Sequence, residues 1–147
     1  GNPRGSTTGV ADALILDSEA VNALANPGER GVLALRMRAI LQMARDHSAM
    51  VRVPAAVLAE VCRTPRLDAN LNRVLAMRGI VVANLTERIA RRAGHLLARA
   101  KLSSIHAVDA FVVATALDFP ESLVATGDPV DIERLAMGFK QLRTFII

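Results

Sequence analysis

Four carboxylates stand alone in stretches of this sequence that otherwise look like protein core. Asp17 ends the apolar run Ala13-Leu-Ile-Leu16, and Glu60 is the one charged residue in Pro54-Ala-Ala-Val-Leu-Ala-Glu-Val-Cys62. Asp109 is the one charge between Ala107 and Leu117, and Asp128 follows Leu123-Val-Ala-Thr-Gly127. Desolvating a lone carboxylate is costly, and it either finds a partner or takes up a proton. A single acid of this kind is ordinarily a helix cap or a satisfied core group. Four of them are reconciled if they converge on one place. Converging carboxylates repel, and a divalent cation removes that penalty. Oxygen-only ligation, with no His or Cys at liganding spacing, suits Mg²⁺ or Mn²⁺ better than Zn²⁺. One or two such ions held by carboxylates are standard equipment for phosphodiester hydrolysis.

The charge balance fits a polyanionic substrate. The net charge is +4, and setting the four acids aside leaves 10 acidic against 18 basic residues. A negative pit in a positive body attracts a nucleic acid and holds a metal within it. Of the bases, 16 are Arg, whose guanidinium groups pair bidentately with phosphates. With no Trp or Tyr and four Phe, the chain lacks the stacking platforms of single-strand binders.

The elements that must position these acids alternate between apolar strands and helices. Strands are expected at 13–16, 50–53, 80–83 and 123–126, with a terminal edge strand over 143–147. Helices are expected at 19–24 (capped by Ser18), 31–46, 54–62 (opened by Pro54), 66–78, 87–101 (capped by Thr86) and 132–137. A further helix carries Asp109 and is capped by Ser103 or Ser104. This pattern gives one α/β domain: a parallel sheet of about five short strands with helices on both faces. In such sheets ligands bind where strands lead into helices. The length of 147 residues suits one domain, expected over 13–147 behind a mobile leader at 1–12. Apolar runs fall short of the ~18 residues of a membrane span, the leader has no apolar signal region, and the single Cys62 agrees with a reducing cytoplasm. Cys62 reads as a small core residue, and Met37, Met43, Met50 and Met77 as core filler.

Four blocks carry a family resemblance. Leu14-Ile-Leu-Asp-Ser-Glu-Ala-Val21, Val57-Leu-Ala-Glu-Val61, Ala107-Val-Asp-Ala-Phe-Val-Val-Ala-Thr-Ala-Leu117 and Val124-Ala-Thr-Gly-Asp-Pro-Val-Asp131 resemble the acidic blocks of PIN-domain nucleases. Their order and spacing are similar to those of VapC-type toxins of bacterial toxin–antitoxin pairs. The resemblance implies a PIN-like fold and Mg²⁺- or Mn²⁺-dependent cleavage of RNA, such as a tRNA or rRNA stem-loop. It also implies a homodimer in the cytoplasm, neutralised by a VapB-type antitoxin. It assigns catalysis and metal binding to Asp17, Glu60, Asp109 and Asp128, with Asp131 as an accessory acid. Thr126 matches the hydroxyl residue of the last block. Glu19-Ala20 departs from the small polar residue and hydrophobe that many members carry.

Smaller signals have plainer readings beside the functional ones. Ser18 and Thr126 are candidate substrate contacts, as are Arg88, Arg92 and Arg99 on the polar face of the 87–101 helix. That face, which also carries Arg91 and His95, reads more simply as solvated. Asp131 reads as an acceptor for a backbone N–H in its turn, and His106 as structural or solvated. Two other classes of function compete. One is a PIN-like module that binds RNA or a partner without cutting. The other is an aspartate-based phosphotransfer domain, receiver-like or of the haloacid-dehalogenase type, the second of which wants Asp-x-Asp where this chain has Asp17-Ser-Glu19. Both also want a Lys late in the sheet, whereas Lys101 and Lys140 lie at no strand end. Asp17→Asn and Asp109→Asn are both expected to raise metal-free stability by relieving repulsion.

Overall fold

A computed structural model describes residues 11–28 and 31–147; most of the leader, residues 1–10, lies outside that range. Five strands form one parallel sheet: β1 (Ala13–Leu16), β2 (Met50–Pro54), β3 (Ile80–Ala83), β4 (Ser122–Thr126) and β5 (Leu142–Ile146), in spatial order β3-β2-β1-β4-β5. The helices are α1 (Ser18–Ala25), α2 (Gly31–Asp46), α3 (Leu58–Val61), α4 (Pro65–Leu75), α5 (Glu87–Ala100), α6 (Ala107–Ala116) and α7 (Pro129–Ala136). This is the α/β architecture that the alternating pattern predicts.

β1 is buried along its whole length, as a central strand covered by helices on both faces must be. Its register pairs Leu14 with Val51 on one side and with Leu123 on the other. The chain builds outward from β1 to β2 and β3, then crosses back to place β4 and β5 on the opposite side. The switch point is therefore at β1 and β4, where a crevice opens at the carboxyl ends of the strands. α6 packs against β1, β2, β4, α5 and α7, which is why Ala110, Val112, Val113, Ala114 and Ala116 are all buried. Thr115 satisfies its hydroxyl locally by donating to the Phe111 carbonyl at 2.8 Å.

Several local expectations change at element ends, where side-chain bonding decides. Asp17, not Ser18, caps α1, its Oδ1 accepting from Ala20 N at 2.9 Å. Pro54 closes β2 instead of opening a helix; a 3₁₀ turn (Ala55–Val57) and the single turn of α3 follow. Neither Ser103 nor Ser104 caps α6, which starts after a second 3₁₀ turn (Ser104–His106). α4 begins a residue early on its Thr64 cap and ends at Leu75, and α7 begins at Pro129. Cys62 is exposed just beyond α3 and not in the core. Of the methionines, Met37 is buried, whereas Met43 and Met50 are exposed.

Candidate active site

The crevice at the β1/β4 switch is a cavity of about 460 Å³ lined by Asp17, Ser18, Glu19, Asn22, Glu60, Arg63, Asp109, Gly127 and Asp128. Residues 17, 60, 109 and 128, spread over most of the sequence, thus share one wall. Each is delivered by a different element: the end of β1, the single turn of α3, the first turn of α6 and the start of α7.

Asp17 is the most deeply set, 4% exposed. Beyond its cap on α1, its Oδ2 accepts from Gly127 N at 3.1 Å, and the Thr126 hydroxyl also bonds to its carboxylate. Burial nonetheless raises its pKa, the three donors and the nearby Glu19 being smaller influences. Thr126 is completely buried, and its Oγ1 also accepts from Asp128 N at 2.8 Å. It stands behind the acids and cannot touch substrate, contrary to its candidacy as a substrate contact. One hydroxyl thus ties two acids together. Thr126→Val keeps the volume and removes both bonds, and should cost about 1–3 kcal/mol. Denaturant melts should record this, with weakened Mg²⁺ binding by calorimetry; wild-type values for both would deny the hydroxyl this role.

Asp109 is half-buried and its carboxyl is pushed up to about 7. Desolvation is the largest cause, followed by the charge of Asp128, a hydrogen bond shared with Asp128, and the charges of Asp17 and Asp131. Glu60 is exposed; Ser18 Oγ donates to its Oε1, and Arg63 Nε donates to its backbone carbonyl at 3.1 Å. Ser18 therefore serves as a support for Glu60 at the cavity wall.

Composition and periodicity did not single out Glu19, Asn22 or Arg63, which also line the cavity. The Glu19 side chain crosses Gly127 so closely that a Cβ there would come within 2.6 Å of Glu19 Cγ. The signal was available: α1 starts at the site, so its first turn and the residue one turn on face the same crevice.

The helix arginines are engaged elsewhere. Arg88 and Arg92 both bind Asp118, Arg88 through two bonds, and Arg92 also donates to the Ala114 carbonyl at 2.9 Å. Arg99 donates to the Leu135 carbonyl at 3.0 Å and lies over the Phe139 ring. These three pin α5 to α6 and α7, and none lines the cavity. Asp131 likewise turns to His106, whose Nδ1 is 3.3 Å from Asp131 Oδ2, in place of the expected backbone N–H.

The donor set suits a hard divalent cation. Carboxylate oxygens dominate the wall, and the carboxyl of Asp109 is raised first by burial and then by the neighbouring acids, both of which a bound cation would offset. Asp17, Asp109, Asp128 and Glu60 are the residues that could hold such an ion.

This fold and this acid-lined crevice define a class, and comparison with known proteins agrees. The PIN-domain family model matches residues 14–136, and the chain belongs to that family. Among solved structures, VapBC2 from Rickettsia felis bound to a DNA fragment from their promoter is similar in fold, with a TM-score of 0.64 at 11% identity. The match covers 92% of this chain and 98% of that one. No curated protein sequence matches the chain. Among the described residues, no helix is long and apolar enough to cross a membrane.

Proposed function

We propose that this PIN domain is a VapC-type toxin: an endoribonuclease that uses Mg²⁺ or Mn²⁺ to hydrolyse RNA and is held in check by a VapB-type antitoxin. The observation that carries the reading is the convergence of Asp17, Glu60, Asp109 and Asp128, from four different elements, on one cavity. Burial first, and the neighbouring acids after it, push the Asp109 carboxyl up to about 7; acids so placed are suited to a cation, and a cation there is suited to a phosphodiester. A bound divalent ion would activate water and shield the phosphate charge. Asp17, Asp109 and Asp128 would hold it, with Glu60 from the rim and one or two ions accommodated. The remaining residues orient. Thr126 and the Gly127 N–H fix the Asp17 carboxylate, and Ser18 steadies Glu60. The fold likeness to a VapBC complex supports the pairing with an antitoxin. The expected settings of a homodimer and the cytoplasm belong to the same reading.

Arg63 is the cationic side chain on the cavity wall. Its Nε donates to the Glu60 carbonyl beside the acids, and a guanidinium at this wall is suited to binding the substrate phosphate. Arg63→Gln should then raise KM for RNA about tenfold, and should reduce the dependence of RNA binding on salt by about one phosphate contact. An unaltered salt slope would remove Arg63 from the binding surface.

The direct test is incubation with structured RNA and Mg²⁺ or Mn²⁺, beside an EDTA arm and an Asp109→Asn control. Cleavage lost in both supports the nuclease. RNA binding without cleavage under every metal would instead indicate a non-cutting module.

A further inference from the structure

His106 ends the 3₁₀ turn before α6, Asp109 lies in the first turn of α6, and Asp131 lies in the first turn of α7. These are three neighbouring elements, and their side chains meet. Among the described residues this is the one group of three whose ligand atoms all lie within 4.8 Å of one another. His106 occupies the cap position of α6 but makes no cap bond with its side chain; its Nδ1 faces Asp131. His106 and Asp131 are partly sheltered, at 29% and 25% exposure, so the ring is held against the acid and not spread into solvent.

We propose that His106, Asp109 and Asp131 form a second cation position, next to the oxygen-only wall of Asp17, Glu60 and Asp128, and that it takes a first-row transition ion. A first-row ion holds its ligands at ~2.1 Å, so two ligands of one ion are at most ~4.2 Å apart. A set already within 4.8 Å needs small side-chain rotations to close on such an ion. The imidazole nitrogen makes the position selective. Mg²⁺ and Ca²⁺ prefer oxygen donors, whereas imidazole suits Zn²⁺ and Co²⁺. Three protein ligands leave coordination positions for water. Asp109 is common to both sets and joins them. The proposal rests on the nuclease reading only for the identity of the neighbouring position.

The test is a calorimetric titration of the full chain with Zn²⁺ and, separately, Mg²⁺, with Co²⁺ absorption as a spectroscopic check on nitrogen ligation. Wild-type protein should bind Zn²⁺ at least tenfold more tightly than Mg²⁺. His106→Asn should weaken Zn²⁺ binding at least tenfold, alter the Co²⁺ band, and leave Mg²⁺ affinity within about twofold, in line with the loss of one ligand. Asp128→Asn should do the reverse. Asp131→Asn carries the same expectation as His106→Asn, should the latter prove poorly folded by circular dichroism. Zn²⁺ affinity that survives both His106→Asn and Asp131→Asn, or that falls chiefly with Asp128→Asn, overturns the proposal. RNA plays no part in these measurements. A chain that binds Zn²⁺ through His106 yet cuts no RNA retains this site and loses the nuclease reading; the opposite result does the converse.

Discussion

Asp109→Asn should abolish metal-dependent RNA cleavage, by a factor on the order of 10³, and at the same time make the metal-free protein more stable. The two effects have one cause. Asp109 is half-buried and faces Asp128, Asp17 and Asp131, which is why its carboxyl holds a proton up to about pH 7. In the unfolded chain the same group ionises near the ordinary carboxylate value. Between about pH 4 and pH 7 the folded state therefore binds the extra proton, and stability falls as pH rises. Above 7 the penalty is complete. An amide never ionises, so the advantage of the variant should be near zero at pH 4 and grow to a plateau above 7. Allowing for solvent screening, the plateau should be on the order of 1–2 kcal/mol, or roughly 2–8 °C in melting temperature for a domain of this size. Added Mg²⁺ should stabilise the wild type more than the variant, since the variant has lost one of the carboxylates whose repulsion an ion relieves. Melts at pH 4, 6 and 8, with and without Mg²⁺, measure all of this. A variant that melts lower than wild type at pH 8, and whose deficit Mg²⁺ does not change, would show Asp109 to be a structural acid.

Asp17→Asn should be equally inactive but less stable, and here the structure divides two substitutions that the sequence treats alike. The Asp17 carboxylate accepts from Ala20 N, from Gly127 N and from the Thr126 hydroxyl. An amide keeps one acceptor oxygen and presents an NH₂ group to the other donors. At least one donor is then left facing another donor, which costs about 1–3 kcal/mol when the group is sheltered from water. The burial that raises the Asp17 pKa acts in the opposite direction, because a neutral side chain is easier to bury. Lost acceptance should win, since Asp17 is also the cap of α1. Chemical denaturation should place Asp17→Asn below the wild type and Asp109→Asn above it. Equal shifts for the two would mean that charge repulsion alone governs this crevice.

These opposed expectations show what sort of information the chain carries where. That Asp17, Glu60, Asp109 and Asp128 interrupt apolar segments was legible, because burial of an unpaired carboxylate is a local anomaly. The strands were legible for a related reason: runs such as Ala13–Leu16 are too short and too apolar to be anything but covered strands. Helix ends were less so. Whether Asp17 or Ser18 caps α1, or whether Pro54 closes a strand or opens a helix, depends on which backbone N–H lies near which oxygen. Both alternatives in each case satisfy the local rule. The partners of the α5 arginines were illegible for the same reason. A helical face rich in Arg looks free for phosphate until Asp118, the Ala114 carbonyl and the Leu135 carbonyl come within reach from α6, α7 and the chain between them.

The order of apolar and polar residues by itself determined that this chain is one α/β domain with acids set into its core-forming segments, since periodicity and burial are properties of neighbouring residues. Only the tertiary structure decided that those acids share a crevice and that His106 joins Asp131 beside it. It also decided that Thr126 works from behind the wall. The reason is topological: the crossover after β3 brings β4 to the far side of β1, and contacts across that switch join residues a hundred positions apart. No local pattern encodes such a meeting, and the chemistry of this protein resides in it.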